Sequence, residues 1–204
     1  MGLKVVPQKS DKYPFRRAHR FFGRNEVNTA SYLKFLSTRG DSPTGGSLEA
    51  WIRLRPQYVD NNTAYTELTW PQNSYYRLII RFVPLRPGIT TPQLRFYIVN
   101  ETGSGCAINY PLEDDDFGKW MHVVVTYDRT NLCAYINGEL YQEKSLPTGW
   151  QNLTLVGSDA TRDEYIPTTN WATWDIGLVR AWMVALTSEE VESLYEDWQA
   201  LDIE

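Results

Sequence analysis

Residues 117–139 constrain this chain more than any other stretch. Trp120-Met121-His122-Val123-Val124-Val125-Thr126-Tyr127 is β-branched and aromatic, a composition that suits a pleated, half-buried surface. Asp128-Arg129-Thr130-Asn131 is polar and turn-prone, Leu132 to Ile136 is apolar again, and Asn137-Gly138 follows. Asn-Gly tolerates the positive φ angles of a two-residue hairpin turn and is the strongest short hairpin signal. The stretch predicts a strand, a reversal, a second strand and a tight turn into a third.

Other segments repeat the pattern. In Ser47-Leu48-Glu49-Ala50-Trp51-Ile52-Arg53-Leu54-Arg55-Pro56, Leu48, Ala50, Ile52 and Leu54 share one face. Glu49, Trp51, Arg53 and Arg55 share the other, the period-two signature of a half-buried strand. Further strands are expected at Ser31–Leu36, Ala64–Thr69, Tyr75–Val83, Gln93–Asn100, Ala107–Tyr110, Glu139–Lys144, Leu153–Val156 and Asp175–Met183. Their spacing is that of an all-β sandwich. Arg39 to Gly46 reads as a loop from its Gly and Pro content.

One helix is expected near the C-terminus. Thr187 with Glu190 three residues on makes a capping box. Val191, Leu194, Tyr195, Trp198 and Leu201 form one apolar stripe at helical spacing, which is expected to dock on the sandwich. Glu189 and Glu190 suit the positive end of the helix dipole.

The motif Gly118-Lys119-Trp120-Met121-His122-Val123-Val124-Val125-Thr126-Tyr127-Asp128, with Ala134-Tyr135-Ile136-Asn137-Gly138-Glu139, resembles the central hairpins of laminin G-like domains. Ser47 to Pro56 is similar to an early strand of that family. Asp175 to Val191 is similar to its last strand and the short helix that follows. The resemblance runs from about Tyr32 to Tyr195 and does not reach residues 1–28. It implies an all-β, two-sheet jelly-roll sandwich of concanavalin A-like type, with one short C-terminal helix and an extended N-terminal arm. The chain then divides into an arm, 1–28, and a laminin G-like domain, 29–204. Most relatives bind or display, and the minority that are enzymes use paired carboxylates on one strand.

That pairing is not found here. The strand Leu48–Leu54 offers only Glu49, and Asp114-Asp115-Asp116 are consecutive, so a strand would split them across its two faces. His122 reads as a structural core histidine, as the resemblance also implies, and no Gly-x-Ser-x-Gly elbow appears. Cys106 and Cys133 each fall in a strand, as a bridge or as two buried thiols. The resemblance brings calcium into question, with Asp114, Asp115, Asp116, Asp159, Asp163 and Glu164 as loop carboxylates. They lack a loop signature, so solvated turns, no metal and no cofactor are expected. No catalytic residue is assigned.

Charge is uneven. Residues 1–24 carry seven Lys and Arg against one Asp, a balance of +6, and the whole chain is −5, leaving −11 on the rest. The arm residues Lys9, Lys12, Phe15, Arg16, Arg17, Arg20, Phe21, Phe22 and Arg24 are therefore the expected contacts to an acidic protein neighbour. Strand addition or charge-assisted arginine contacts would make them. With an acidic domain attached, neither nucleic acid nor a membrane surface is an expected partner.

Sugars need exposed aromatic faces and side-chain amides. Trp150, Tyr165, Asn170, Trp171 and Trp174 lie near loops or strand ends and are the candidate glycan contacts. The same rings would also suit an oligomer interface. Arg39-Gly40-Asp41 and the sequons at Asn61, Asn100 and Asn152 are read as chance matches. No apolar run approaches the ~18 residues of a membrane span, and no signal peptide is visible. A displayed domain without one fits a bacteriophage virion, assembled in the host cytoplasm and released by lysis. The expectation is a non-enzymatic decoration or tail protein, a homo-oligomer whose neighbours include a major capsid protein. A lectin or adhesin module is the alternative, and a glycoside hydrolase a third reading.

Overall fold

In a computed structural model of the 204-residue chain, the described residues are 19–20, 31–34, 36–37, 41–42, 45–54, 66–70, 76–85, 88–100, 105–150, 155–156, 165–168, 174–182 and 184–199. The chain begins with β1 (His19–Arg20), β2 (Ser31–Lys34), β3 (Leu36–Ser37), β4 (Asp41–Ser42) and β5 (Gly46–Leu54). Then come β6 (Thr66–Trp70), β7 (Tyr76–Val83), β8 (Gln93–Asn100), β9 (Gly105–Pro111) and β10 (Trp120–Tyr127). The last elements are β11 (Asn131–Ile136), β12 (Glu139–Ser145), β13 (Leu155–Val156), β14 (Tyr165–Thr168), β15 (Trp174–Trp182) and the helix α1 (Ser188–Gln199).

Two sheets make the sandwich. The larger runs β1-β15-β5-β10-β11-β12, with β3 also on β15, and the smaller runs β6-β7-β8-β9. Two short pairs, β13 with β4 and β14 with β2, complete the pairing. Between the sheets lies the main core. The larger sheet supplies Leu48, Ala50, Ile52, Leu54, Met121, Val123, Val125, Tyr127, Leu132 and Ala134. The smaller sheet supplies Leu68, Leu78, Ile80, Phe82, Leu94, Phe96, Ile98 and Ile108. The alternation read in β5 is thus the alternation between the core and the outer face.

The hairpin forms as its residues dictate. Asp128 Oδ1 accepts from the Thr130 hydroxyl (2.8 Å) and from the Thr130 and Asn131 amides (2.9 and 2.6 Å), closing the first reversal. Asn137 and Gly138 take positive φ, 51° and 85°, as a two-residue primed turn requires. Asn137 also extends the ladder, since its amide donates to the His122 carbonyl at 2.8 Å and its Oδ1 accepts from the His122 amide at 3.0 Å.

The second face of β10 is buried as well, because α1 lies across it. Val124, Tyr135, Trp182, Leu186 and Val191 form a second apolar cluster, with Cys133 and Leu194 at its margin. Ser47 ties down the approach to the helix, donating to the Val184 carbonyl at 2.8 Å and accepting from the Leu186 amide at 2.9 Å. The capping box closes in both directions. The Glu190 amide donates to Thr187 Oγ1, and the Thr187 amide donates to the Glu190 carboxylate, each at 3.2 Å. Thr187→Ala is expected to lower stability by about 1 kcal/mol, read by urea denaturation. The side chains of Trp198 and Leu201 fall outside the described residues.

Three short strands depart from the sequence reading. Arg39–Gly46, read as a loop, contains β4. β14 carries Pro167 and was not expected, and His19–Arg20, inside the segment read as an arm, adds β1 to β15. Strands of two to four residues have no period to detect, and long-range pairing alone creates them.

One flank of the sandwich is latched by side chains. Lys144 Nζ donates to the Ala107 carbonyl at 3.0 Å, and the Tyr141 hydroxyl donates to the Asn109 carbonyl at 3.3 Å. Residues 107 and 109 alternate along β9, so their carbonyls point to its free side. Pro111 shares that phase, where a missing N–H breaks no ladder bond. Tyr141 packs edge-on against Tyr110, ring centroids 5.0 Å apart.

Candidate functional site on the outer face of the larger sheet

The outer face is set by register. Trp120 of β10 lies opposite Arg53 of β5, and Arg53 opposite Asp175 of β15, which in turn pairs with Arg20 of β1. Two rows further along, Arg180 lies opposite Glu49 and Glu49 opposite Val124. Asp175 and Arg180 have opposite parity, yet both face outward. A register shift between Ile176 and Leu178 leaves Gly177 as the extra residue, and such a bulge flips the alternation.

The inner row is sealed. Glu49 and His122 are 0% exposed, and Arg180 is 8%. Arg180 grips Glu49 bidentately, Nε to Oε2 at 2.7 Å and Nη2 to Oε1 at 2.5 Å. His122 Nε2 sits 3.1 Å from Glu49 Oε1. Tyr195 of α1 stacks on Trp51 and on His122, at centroid distances of 5.8 and 5.9 Å. Burial alone would raise the Glu49 carboxyl, but the Arg180 charge and the hydrogen bonds from His122 and Arg180 bring it to about 2. A carboxylate so held keeps its charge and meets no solvent, which does not suit proton transfer near neutral pH.

The end row is open. Arg53 donates from Nε and Nη2 to Asp175 Oδ2, at 2.9 and 2.6 Å. Its guanidinium lies over the Trp120 ring, 4.9 Å from the centroid. The Arg53 side chain is 32% exposed, whereas Asp175 is 1%. Gly118, whose amide donates to the Leu54 carbonyl at 2.7 Å, turns the chain into this row, and Lys119 beside it is exposed.

Of the candidate glycan contacts, Trp150, Tyr165 and Trp174 fall among the described residues. Trp150 is half-buried, packing on the main core and edge-on to Tyr76 at 5.9 Å. Tyr165 is in β14 and Trp174 begins β15 opposite Leu54. Asn170 and Trp171 lie outside the described residues. Of the arm residues, Arg20 is in β1. Lys9, Lys12, Phe15, Arg16, Arg17, Phe21, Phe22 and Arg24 lie outside the described residues.

Cys106 and Cys133 are both free. Cys106 belongs to the main core and Cys133 to the outer cluster, so the larger sheet separates them. Burial pushes both thiols up, Cys133 to about 11, away from thiolate chemistry. Asp114–Asp116 form a single 3₁₀ turn with no buried residue. Among the described residues no group of three or more His, Cys, Asp or Glu side chains is placed to hold a metal ion. Asp159, Asp163 and Glu164 are outside them.

The sequence matches the concanavalin A-like lectin/glucanases superfamily over residues 27–192. The chain belongs to this superfamily. Its fold is shared with several solved structures. A SAP-like pentraxin from Limulus polyphemus, described as heptameric, is 15% identical with a TM-score of 0.57, over 86% of this chain and 80% of that one. The binding domain of botulinum neurotoxin DC, solved in complex with rat synaptotagmin II, is 21% identical with a TM-score of 0.52, over 79% and 37%. The serotype D binding domain is 17% identical with a TM-score of 0.51, over 86% and 39%. The superfamily member described here thus spans less than half the length of the toxin structures it matches. No curated protein sequence matches it. Among the described residues no helix is long and apolar enough to cross a membrane.

Proposed function

We propose that this chain is a non-enzymatic display domain, anchored by residues 1–28 to a larger assembly, and that the assembly is a bacteriophage virion in which it serves as a decoration or tail component. The observation that carries the anchoring is the addition of β1 to β15, with Arg20 in register with the buried Asp175. A basic segment already used as an added strand at a sheet edge is suited to strand addition and to acidic neighbours. The non-enzymatic reading is supported by the state of the two buried carboxylates, Glu49 and Asp175, each bound to an arginine. The charge split between arm and domain favours protein neighbours such as a capsid protein over nucleic acid.

Deleting residues 1–28 is expected to abolish incorporation into the particle, while circular dichroism shows the domain still folded. Light scattering is expected to show the full chain as an oligomer and the truncated chain as a monomer. Undiminished incorporation by the truncated chain would refute the anchoring role.

A second reading is glycan binding by the same domain. The superfamily includes lectins, and a displayed domain holding surface sugars satisfies both readings. It predicts a saccharide ligand whose binding is lost in Trp171→Ala or Trp174→Ala.

A further inference from the structure

We propose that Asn137 is a site of spontaneous deamidation that the folded hairpin restrains, and that its isoaspartate product loosens α1 from the outer face. Asparagine is a thermolabile side chain. It is most so before glycine, where no Cβ hinders approach of the next backbone nitrogen. Asn137-Gly138 is the one Asn-Gly pair in the chain. The Gly138 nitrogen bonds to Asn137 Cγ as the Cγ–Nδ2 bond breaks, and the Gly138 amide proton leaves with Nδ2 as ammonia. Water then opens the cyclic imide at one of its two carbonyls. One opening gives aspartate. The other gives isoaspartate, in which the main chain runs through the former side chain and gains a methylene.

The fold opposes the first step. Asn137 Oδ1 accepts from the His122 amide at 3.0 Å, and the Asn137 amide donates to the His122 carbonyl at 2.8 Å. The side-chain carbonyl must therefore leave β10 before it can turn to Gly138. Gly138 is buried, and a Cβ on it would lie 2.8 to 3.0 Å from Tyr195, so α1 sits on the attacking peptide unit. Asn137 itself is exposed, which gives water access to the imide. The two products differ in consequence. Aspartate keeps an acceptor oxygen where Oδ1 stood. Isoaspartate carries its carboxylate directly on Cα and puts one backbone atom too many between Ile136 and Glu139, the pair that closes the turn. Tyr195 rests on that turn and stacks on Trp51 and His122, so the distortion passes to the helix. Neither residue of the pair lies in segment 1–28, so this proposal and the anchoring role stand or fall separately.

The test ages the full-length chain in mildly alkaline buffer, with and without denaturing urea. Peptide mapping by mass spectrometry follows each asparagine, and isoaspartyl methyltransferase labelling counts isoaspartate. In urea Asn137 is expected to convert faster than any other asparagine. In the native chain it is expected to convert more slowly by about tenfold or more, as a contact that must open first implies. The chain aged in urea and refolded is expected to lose aromatic near-ultraviolet circular dichroism in proportion to its isoaspartate, relative to unaged chain refolded the same way. Fresh Asn137→Asp is expected to keep the parent signal. Aged Asn137→Gly, which cannot form the imide and tolerates positive φ, is expected to match its own unaged form, which excludes a contribution from the other asparagines. Equal rates with and without urea, or another asparagine converting first in urea, overturn the proposal. So does an aged chain rich in isoaspartate that keeps the unaged signal, a fresh Asn137→Asp that loses as much signal as the aged chain, or an Asn137→Gly that declines on ageing as the parent does.

Discussion

Arg180→Met is expected to cost about 3–5 kcal/mol of folding stability at neutral pH, because it strands the Glu49 carboxylate in a dry site. The bidentate contact from Arg180 and the contact from His122 are what hold that charge in place. Removing both charges should do less harm. The double variant Glu49→Leu/Arg180→Met is expected to recover much of the loss, since a buried pair replaced by apolar side chains is often close to neutral. Urea denaturation of the two single variants and the double variant closes the cycle. A loss in Arg180→Met no larger than that of a surface substitution would show that the pair is not buried in solution.

The same pair fixes a pH window. Burial raises the Glu49 carboxyl, but Arg180 and His122 bring it to about 2, below its ordinary value of 4.5. A carboxyl depressed in the folded state contributes its full stability above the unfolded value and loses it as pH falls toward the folded one. The midpoint of urea unfolding should therefore drop between about pH 4.5 and pH 2. The Glu49→Leu/Arg180→Met variant should show a smaller drop over that window.

Gly138→Ala is the second large effect. Gly138 has φ +85°, and a Cβ there would lie 2.8 to 3.0 Å from Tyr195 Cδ1, Cβ and Cγ. Left-handed backbone costs an L-residue about 1–2 kcal/mol, and overpacking adds about 1–3 kcal/mol. The added methyl pushes on the ring that stacks over Trp51 and His122, so the near-ultraviolet circular dichroism of the aromatic residues should change as stability falls. Adding Tyr195→Ala removes Cδ1 and Cγ but keeps Cβ, so Gly138→Ala should cost less in that background than in the parent, measured against Tyr195→Ala alone. If Gly138→Ala melts like the parent, α1 does not sit against this turn.

Much of this architecture is legible in residue order because local signals agree with the final contacts. The Asn137-Gly138 turn and the Thr187/Glu190 capping box each specify a contact within a few residues, the period-two face of Ser47–Leu54 needs only its own alternation to mark the core side, and each forms. The outer face was harder to read. Alternation counted back from Arg180 would turn Asp175 toward the core, and only the extra residue at Gly177 brings it outward to Arg53. Nothing in a string of letters marks a bulge in one strand as the device that aligns side chains of three. The Arg180–Glu49 pair is separated by 131 residues, and its partners are set by sheet order. β1, β4 and β14 were missed for a related reason, since their pairing is decided by where the chain returns. The candidate glycan residues stand out by residue type near loops, which says nothing about whether they converge.

The latch from β12 to β9 bears on how many neighbours such a domain can join by backbone pairing. On that flank Lys144 and Tyr141 already satisfy the outward carbonyls of Ala107 and Asn109. β12 itself is exposed along its length, charged and bulged, features that discourage a foreign strand. On the opposite flank β15 already accepts short strands on both of its halves, antiparallel β1 and parallel β3. Both edges of the larger sheet are thus held or guarded by the chain's own residues, so a second copy that paired with β15 would first have to displace β1 or β3.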